Sequence, residues 1–558
     1  MSTTHTHHER TAERSLLDTL ALPIAAALVA LAGAVCALTW AAAAGATLAG
    51  SQRLPTSSFF AGLDIAQRLT RTPAHPWLAW PTADRAGMPH DTLTWYAASS
   101  LPIIICVCLL VVVILIGVRI WRCGTGRDNQ QGLGRSPKSE RGSGRSRVRL
   151  TTRPVKAEGR ITLGQAGLGQ VFAPDSEAHV MVVAPPGQHK TTGVVIPAVL
   201  QHPGPALVVS TKPDVLTATL VARARRGDIF VYDPFGERSC GWNPVDGCTD
   251  WETAMLRAEA LTTAGKRDQT TAAGEWWDSV AGDLLAPLLH AAALDAKPMH
   301  TLFSWVAQGD AETPRRILAT QPSAEEDARW RLASAIDELD AMRARDDRTR
   351  ASTWLSAGQL LKAYRHPAVA RASQTDFHPS MLLDTPSTLY IVASDEHQQL
   401  LRPIIVALIE AVYQAAFARG RHVPLDPRFL MALDETANIA PLRRLPEYLA
   451  QSRGVGITMM TVWQGLSQTH ARYGEQAGAI LASSLAQVFL GGSTDPRTLD
   501  YLERMLRQSE LDPAQRIDPR RLGGRALVIY ADHQPFLLRP RISYQNRHLR
   551  RLAKADPR

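Results

Sequence analysis

The sequence predicts an α/β chain in which a parallel β-sheet is interrupted by an all-α insertion and preceded by two membrane-crossing helices. Three observations lead there. Two long uncharged runs lie in the first 118 residues, Thr19 to Gln52 and Thr92 to Val118. From about Ile161 onward, short β-branched runs alternate with longer helical patterns, which is the signature of βαβ units. Between about Trp251 and Arg371 that alternation stops and only helical periodicity remains. The 558 residues suffice for several domains at roughly 150 residues each. With 45% apolar and 20% charged residues, wholesale disorder and fibrous classes are excluded. Six cysteines without CxxC or Cys/His spacing support neither a disulfide framework nor a structural zinc.

Both apolar runs exceed the roughly 20 residues needed to cross a hydrocarbon core. The second has an almost purely aliphatic heart, Leu101 to Val118, flanked by Trp95, Tyr96 and Trp121, where interfacial aromatics are expected. A secretory signal is the alternative for the first run, but its apolar stretch is longer than an h-region of roughly 7 to 15 residues. The net charge of +9 is unevenly placed. Residues 1–118 are balanced, residues 119–160 carry 12 Lys/Arg against 3 Asp/Glu, and residues 539–558 carry 7 against 1. The intervening loop has four basic residues, Arg53, Arg68, Arg71 and Arg85, so the basic cluster after the second run orients the large C-terminal part to the cytoplasm.

The expected layout is a cytoplasmic tail (1–18) carrying His5, His7 and His8, a first span (19–50), an extracytoplasmic loop (51–91) and a second span (92–120). A basic, Gly/Ser/Arg-rich linker follows (121–160), read as a topogenic signal that touches anionic lipid or as a DNA-contacting arm. The α/β domain occupies 161–250 and 372–545, around the all-α insertion 251–371, and a basic tail closes the chain (546–558). Expected strands are His179–Val183, Ala206–Ser210, Ile229–Tyr232, Thr388–Ala393, Phe429–Leu433, Ile457–Val462, Gln487–Leu490 and Ala526–Tyr530. Within the insertion, Asp283–Leu294 and Ala324–Arg345 have the strongest helical pattern, and Trp276 and Trp277 read as packing residues rather than DNA-stacking ones.

The chemistry lies in two motifs. Ala184-Pro185-Pro186-Gly187-Gln188-His189-Lys190-Thr191 directly follows an apolar strand and precedes a helical run, the setting of a phosphate-binding loop. In such a loop backbone N–H groups cradle phosphates, the lysine neutralises β and γ charge, and the hydroxyl ligates Mg²⁺. Pro186, Gly187, Gln188, His189, Lys190, Thr191 and Thr192 are therefore the candidate nucleotide contacts. The two defining glycines of GxxxxGK[ST] are replaced by Ala184 and His189, which puts ordinary ATP turnover in question. The second motif, Phe429 to Glu435, is an apolar strand ending in an acidic pair. There Asp434, with Thr191, is the candidate Mg²⁺ ligand, and Glu435 is the candidate base for an attacking water. Together the motifs point to a P-loop NTPase using ATP and Mg²⁺.

At this point the residues resemble a family, the type IV secretion coupling proteins, conjugative DNA-transfer ATPases of TraG/TraD type. The resemblance extends over Ser210 to Asp214, Tyr232-Asp233-Pro234, Trp242-Asn243-Pro244, Asp434 to Ile439, Ser452 to Ile457 and Val462-Trp463-Gln464. It implies a RecA-like P-loop NTPase fold in a two-pass inner-membrane motor. It implies a homo-hexamer around a DNA channel, with relaxosome proteins, secretion-channel components and membrane lipids as further partners. By resemblance Arg453 is the arginine finger serving the neighbouring subunit, with Arg443 and Arg444 as competitors, and Gln464 the γ-phosphate sensor. The insertion is similar to the family's substrate-recognising all-α domain. A long acidic docking tail is not expected, and the basic end with Arg547, Arg550, Arg551 and Lys554 reads as a phosphate-contacting or merely soluble tail. A receptor for protein cargo, a non-hydrolysing scaffold and a chromosome-segregation motor are the competing readings.

Overall fold

The computed structural model describes residues 33–51, 54–104, 150–151, 160–166, 170–263, 272–322, 324–509 and 517–554. The N-terminal histidines, Trp121 and most of the basic linker lie outside them. The chain divides into two compact units, 1–127 and 128–558.

In the first unit, Gly33–Ser51 is a helix of 19 residues, long and apolar enough to cross a membrane. Residues 92–104 are also helical, so each expected span is described only in part. The two helices touch through small residues: Ser99 Oγ donates to Ala42 O at 3.1 Å, and Gly45 lies so near Ala98 O that a Cβ there would sit 2.4 Å from it. Such close approach is how helices pack where lipid gives no hydrophobic drive. The segment between them is folded. Asp84 accepts from Thr56 N at 2.7 Å and Ser57 N at 3.0 Å, and Trp80 and Trp95 are buried with ring centroids 5.3 Å apart. Trp95 therefore belongs to this small core, not to an interfacial belt.

The second unit is built on a nine-stranded sheet. Its strands are β1 (Val180–Val183), β2 (Ala206–Ser210), β3 (Ile229–Tyr232), β4 (Thr388–Val392), β5 (Phe429–Leu433), β6 (Ile457–Trp463), β7 (Ala486–Leu490), β8 (Ala526–Tyr530) and β9 (Phe536–Leu538). Their spatial order is β9-β8-β7-β1-β6-β5-β2-β4-β3. From β7 to β3 every pairing is parallel. β8 and β9 are antiparallel, so the sheet is mixed where the sequence predicts a parallel one. For β8 and β9 the reason is local, since only five residues separate them and so short a link suits antiparallel pairing alone. The connection from β7 to β8 carries the helix Pro496–Arg507 and is long enough for either direction.

Both faces of the sheet are covered, which explains why its strands read as unbroken apolar runs. Successive side chains alternate between two cores. Val180, Val182, Val208, Ala432 and Val462 join one with the helix Ile196–Gln201. Met181, Val183, Leu207, Leu433 and Trp463 join the other, which runs continuously into the helical segment. That segment comprises Trp251–Thr263, Ala272–Leu294, Met299–Gln308, Glu312–Ala319, Glu326–Ala344 and Asp347–Leu360. Trp276 is 50% exposed, against the expectation that it packs, and the Trp277 side chain is outside the described residues. The basic C-terminus is also more than a tail. Arg547–Lys554 is a helix whose Leu549 is buried in the first core, with Arg547, Arg550, Arg551 and Lys554 on its exposed face.

Where the helical segment meets the sheet, Arg257 lies over the Trp242 ring at 4.8 Å. Nearby, the Tyr448 hydroxyl donates to Glu410, and Tyr448 stacks on Tyr413 at 3.8 Å. Burial pushes the Glu410 carboxyl up to about 7, against the hydrogen bond from Tyr448 and the Arg444 guanidinium. A carboxyl raised above its unfolded value contributes stability that is fully present below about pH 4.5 and is lost as pH rises through about 7. The wild type should therefore lose about 1–3 kcal/mol more stability between pH 5 and pH 8 than Glu410→Gln, in urea unfolding at both pH values. Equal losses would place this carboxyl in water.

Candidate functional site

The site forms where three neighbouring parallel strands end together. β1 and β6 are paired with Val183 opposite Trp463, and β6 and β5 with Thr461 opposite Leu433. The loop after β1, the residue after β6 and the acidic pair after β5 therefore emerge at one level of the carboxyl edge, where α/β sheets place ligands.

In the loop, Pro186 to His189 are exposed while Lys190 is buried. Gly187 has φ 78° and His189 φ 59°, so the left-handed turn that glycine usually supplies is made here by a histidine. The His189 ring compensates in part by placing Nδ1 3.2 Å from Thr192 Oγ1. The Gln188 side chain lies against Gly491 at the end of β7, where an added Cβ would be 2.4 Å away. The first turn after Lys190, Thr191–Val195, is a wide π turn.

Lys190 Nζ sits 2.5 Å from Glu435 Oε1, and Thr191 Oγ1 donates to Asp434 Oδ2 at 2.8 Å. Gln464 Nε2 and Asn438 Nδ2 both donate to Glu435 Oε2, at 3.0 and 3.3 Å. The four residues on which the two motifs depend thus converge, and Gln464 joins them. Glu435 is itself left-handed, φ 60° and ψ 48°. Burial pushes the Asp434 carboxyl up, while the Thr191 hydrogen bond and the Lys190 ammonium oppose it. Asp434 Oδ1 is buried without a hydrogen-bond partner. An unpaired buried carboxylate oxygen beside a threonine hydroxyl fits a hard divalent cation such as Mg²⁺, which takes oxygen ligands.

Arg453 is elsewhere. It precedes β6 at the amino edge of the sheet, so the length of β6, about 20 Å, separates it from its own Lys190. Its Nη2 is 3.9 Å from Glu177 Oε2, and it is partly exposed. Arg428, which sequence reasoning passed over, donates from Nη2 to both Arg453 O and Ile457 O at 2.9 Å. Buried His179 accepts from Met459 N at 3.0 Å, with its other ring nitrogen 3.3 Å from Ser452 Oγ. Burial, with Arg428 and Arg453 close by, lowers the His179 pKa to about 4, so the ring is neutral. Neither residue belongs to a sequence motif; only a polar residue at each strand start marks them. Of the competitors, Arg443 is 3.7 Å from Glu259 and Arg444 3.0 Å from Glu447.

Residues 140–509 match the family described as type IV secretory system conjugative DNA transfer. The chain belongs to that family. Its relatives include the conjugal transfer protein TraG of Agrobacterium fabrum, 24% identical over 374 residues that make up 63% of this chain and 54% of that one. The VirD4 protein of Rhizobium rhizogenes is 25% identical over 363 residues, 62% of this chain and 51% of that one. The chain spans about half the length of the curated relatives it matches. Among solved structures, the bacterial conjugative coupling protein TrwBdeltaN70 in its unbound monoclinic form superposes with a TM-score of 0.51. It is 21% identical and covers 70% of this chain and 90% of its own. Plasmid coupling protein TrwB in complex with ADP and Mg²⁺ gives the same TM-score, identity and coverage. The sheet and helices of this type IV secretory system family member are accordingly of the TrwB-like, RecA-type NTPase fold.

The Lys190–Glu435 pair can be isolated from the rest of the site. Lys190→Met alone strands a half-buried carboxylate, whereas Lys190→Met in a Glu435→Gln background does not. A double-mutant cycle in urea should give a coupling energy of about 1–3 kcal/mol. Additive single effects would mean that the two side chains do not interact.

Proposed function

We propose that this chain is the membrane-anchored ATPase of a conjugative type IV secretion system, coupling ATP hydrolysis to the passage of relaxase-linked single-stranded DNA into the secretion channel. The observation that carries this reading is the convergence of Lys190, Thr191, Asp434 and Glu435 at one sheet edge in a chain of this family. The complexes of TrwB with ADP and Mg²⁺ and with a non-hydrolysable GTP analogue support nucleotide and magnesium binding by the same fold.

In this reading Pro186 to Thr192 hold the phosphates, and Thr191 and Asp434 hold Mg²⁺, which when bound offsets charge on the β- and γ-phosphates. Lys190 exchanges its ion pair with Glu435 for phosphate oxygens, and the freed Glu435 carboxylate orients and deprotonates water. Gln464, already bonded to Glu435, senses whether the γ-phosphate is present. Arg453 is out of reach of its own loop, so it serves the site of a neighbouring copy in a ring, a homo-hexamer around the DNA. Residues 19–50 and 92–120 form a two-pass anchor in the inner membrane, with both termini cytoplasmic and lipid headgroups meeting the basic linker. The all-α domain, residues 251–371, receives relaxosome proteins and hands cargo to the channel components.

Lys190→Ala should abolish DNA-stimulated ATP hydrolysis, and Arg453→Ala should lower it on the order of 10³-fold. Mixing Arg453→Ala with Glu435→Gln subunits should restore part of the rate, since each contributes what its neighbour lacks. Full activity in Lys190→Ala would refute the phosphate assignment, and no restoration at any mixing ratio would refute a shared site. Hydrolysis indifferent to every DNA tested would shift the cargo to protein.

A further inference from the structure

We propose that His189 and Tyr544 form a clamp for the base of the bound nucleotide, so that the residue replacing the loop's glycine is a binding group. The inference rests on the nucleotide-site reading above and adds a base subsite to it.

A strap of chain following β9 crosses the loop. Its main chain is tied to the loop itself, where Ser543 N donates to Thr192 O at 2.8 Å. Gly193 permits the crossing, because a Cβ there would lie 3.1 Å from Pro540 Cβ. Upstream, Arg539 and Gln165 exchange main-chain hydrogen bonds at 2.9 and 2.8 Å. Arg541 is buried, with Nη1 3.2 Å from Gln201 Oε1. Downstream, Asn546 N donates to Ile542 O at 2.9 Å, and the helix Arg547–Lys554 is fixed by Leu549. Tyr544 thus stands on a segment anchored at both ends, yet its own side chain is 55% exposed. Its ring is therefore held at a fixed place and open to a ligand.

What it faces is the His189 ring, centroid to centroid 6.5 Å and inclined by 57°. Stacked bases are spaced about 3.4 Å, so a base between two rings needs roughly twice that. The observed gap is close to it, and both side chains are exposed and can turn to become parallel. The direction of the loop puts the base there. Lysine reaches the β- and γ-phosphates, and the loop's N–H groups cradle the α- and β-phosphates. With Lys190 and Thr191 at the Glu435 and Asp434 end, the α-phosphate falls toward Thr192, and ribose and base continue outward past Thr192 to Tyr544. Every base has a π face, so the subsite takes adenine and guanine alike and adds affinity without strong selection.

The full-length protein in detergent is titrated with ATP, GTP and inorganic tripolyphosphate, the last lacking any base. Tyr544→Ala should weaken ATP and GTP binding by about 5- to 100-fold, the range for loss of one stacked base. It should leave tripolyphosphate affinity unchanged, and Tyr544→Phe should restore ATP binding. His189→Gly should narrow the difference in affinity between ATP and tripolyphosphate. Wild-type ATP affinity in Tyr544→Ala, with binding still abolished by Lys190→Ala, would overturn the clamp and leave the nucleotide site standing. Unchanged ATP binding in Lys190→Ala would overturn the site and the clamp with it.

Discussion

The junction of Lys190 with Glu435 and of Thr191 with Asp434 sets the terms for the rest of the second unit. An ammonium and two carboxylates held partly or wholly out of water are tolerable only if each has partners in fixed positions. Those positions come from three strands whose ends are in register, β1, β6 and β5, with β6 lying between the other two. A slip of one residue in either pairing would turn Leu433 or Val183 to the wrong core and move the acidic pair away from the loop. The strands are therefore held by apolar packing on both faces, and the site's geometry is inherited from that packing.

The same packing joins the helical segment to the site. The core on the face of Met181 and Leu433 continues without a break into Trp251, Leu284 and Leu302, so the insertion is not a separate body tethered by a linker. At the junction, Arg257 covers Trp242, and Tyr448 binds Glu410 on the long helix Gln398–His422. Tyr448 lies one turn before Ser452, which its carbonyl holds, and Arg453 follows. The helix Gln398–His422 packs against Trp251–Thr263 of the helical segment and bonds Tyr448 through Glu410, so a displacement of that segment has a contiguous route to the residues before Arg453. The coupling is geometric at this level; whether it carries energy depends on two arrangements being available to Tyr448 and Glu410.

Much of this was legible in the sequence, and the reasons differ by element. The eight expected strands appear within one residue of their places because two-sided burial leaves a long apolar signal. β9 has only three residues, Phe536–Leu538, too few for periodicity to register. The terminal helix is dominated by charge, and one buried residue, Leu549, fixes it to the body, so composition alone read it as a tail. Trp95 has the composition of an interfacial anchor, and only the packing of Trp80 shows otherwise. At the site, the motif residues were found because phosphate chemistry demands those types in that order. Arg428 and His179, which hold the segment around Arg453 through main-chain contacts, could not be found that way, since any donor or acceptor of the right reach would serve.

Two residues of the site, His189 and Glu435, hold left-handed backbone that L side chains rarely adopt. Each such residue costs on the order of 1–3 kcal/mol and persists only where its surroundings fix it. Glycine would relieve the strain at either position but would also delete the side chain that the conformation aims. For Glu435 that side chain meets Lys190, Gln464 and Asn438, so the strained turn is what brings one carboxylate to three partners on separate elements. The left-handed turn at 189 likewise leaves the imidazole beside Thr192 and open toward Tyr544. A loop that needed the turn alone would be better served by glycine. Retaining histidine at this cost is reasonable when its ring is used, and the strap that crosses Thr192 supplies the aromatic partner for that use.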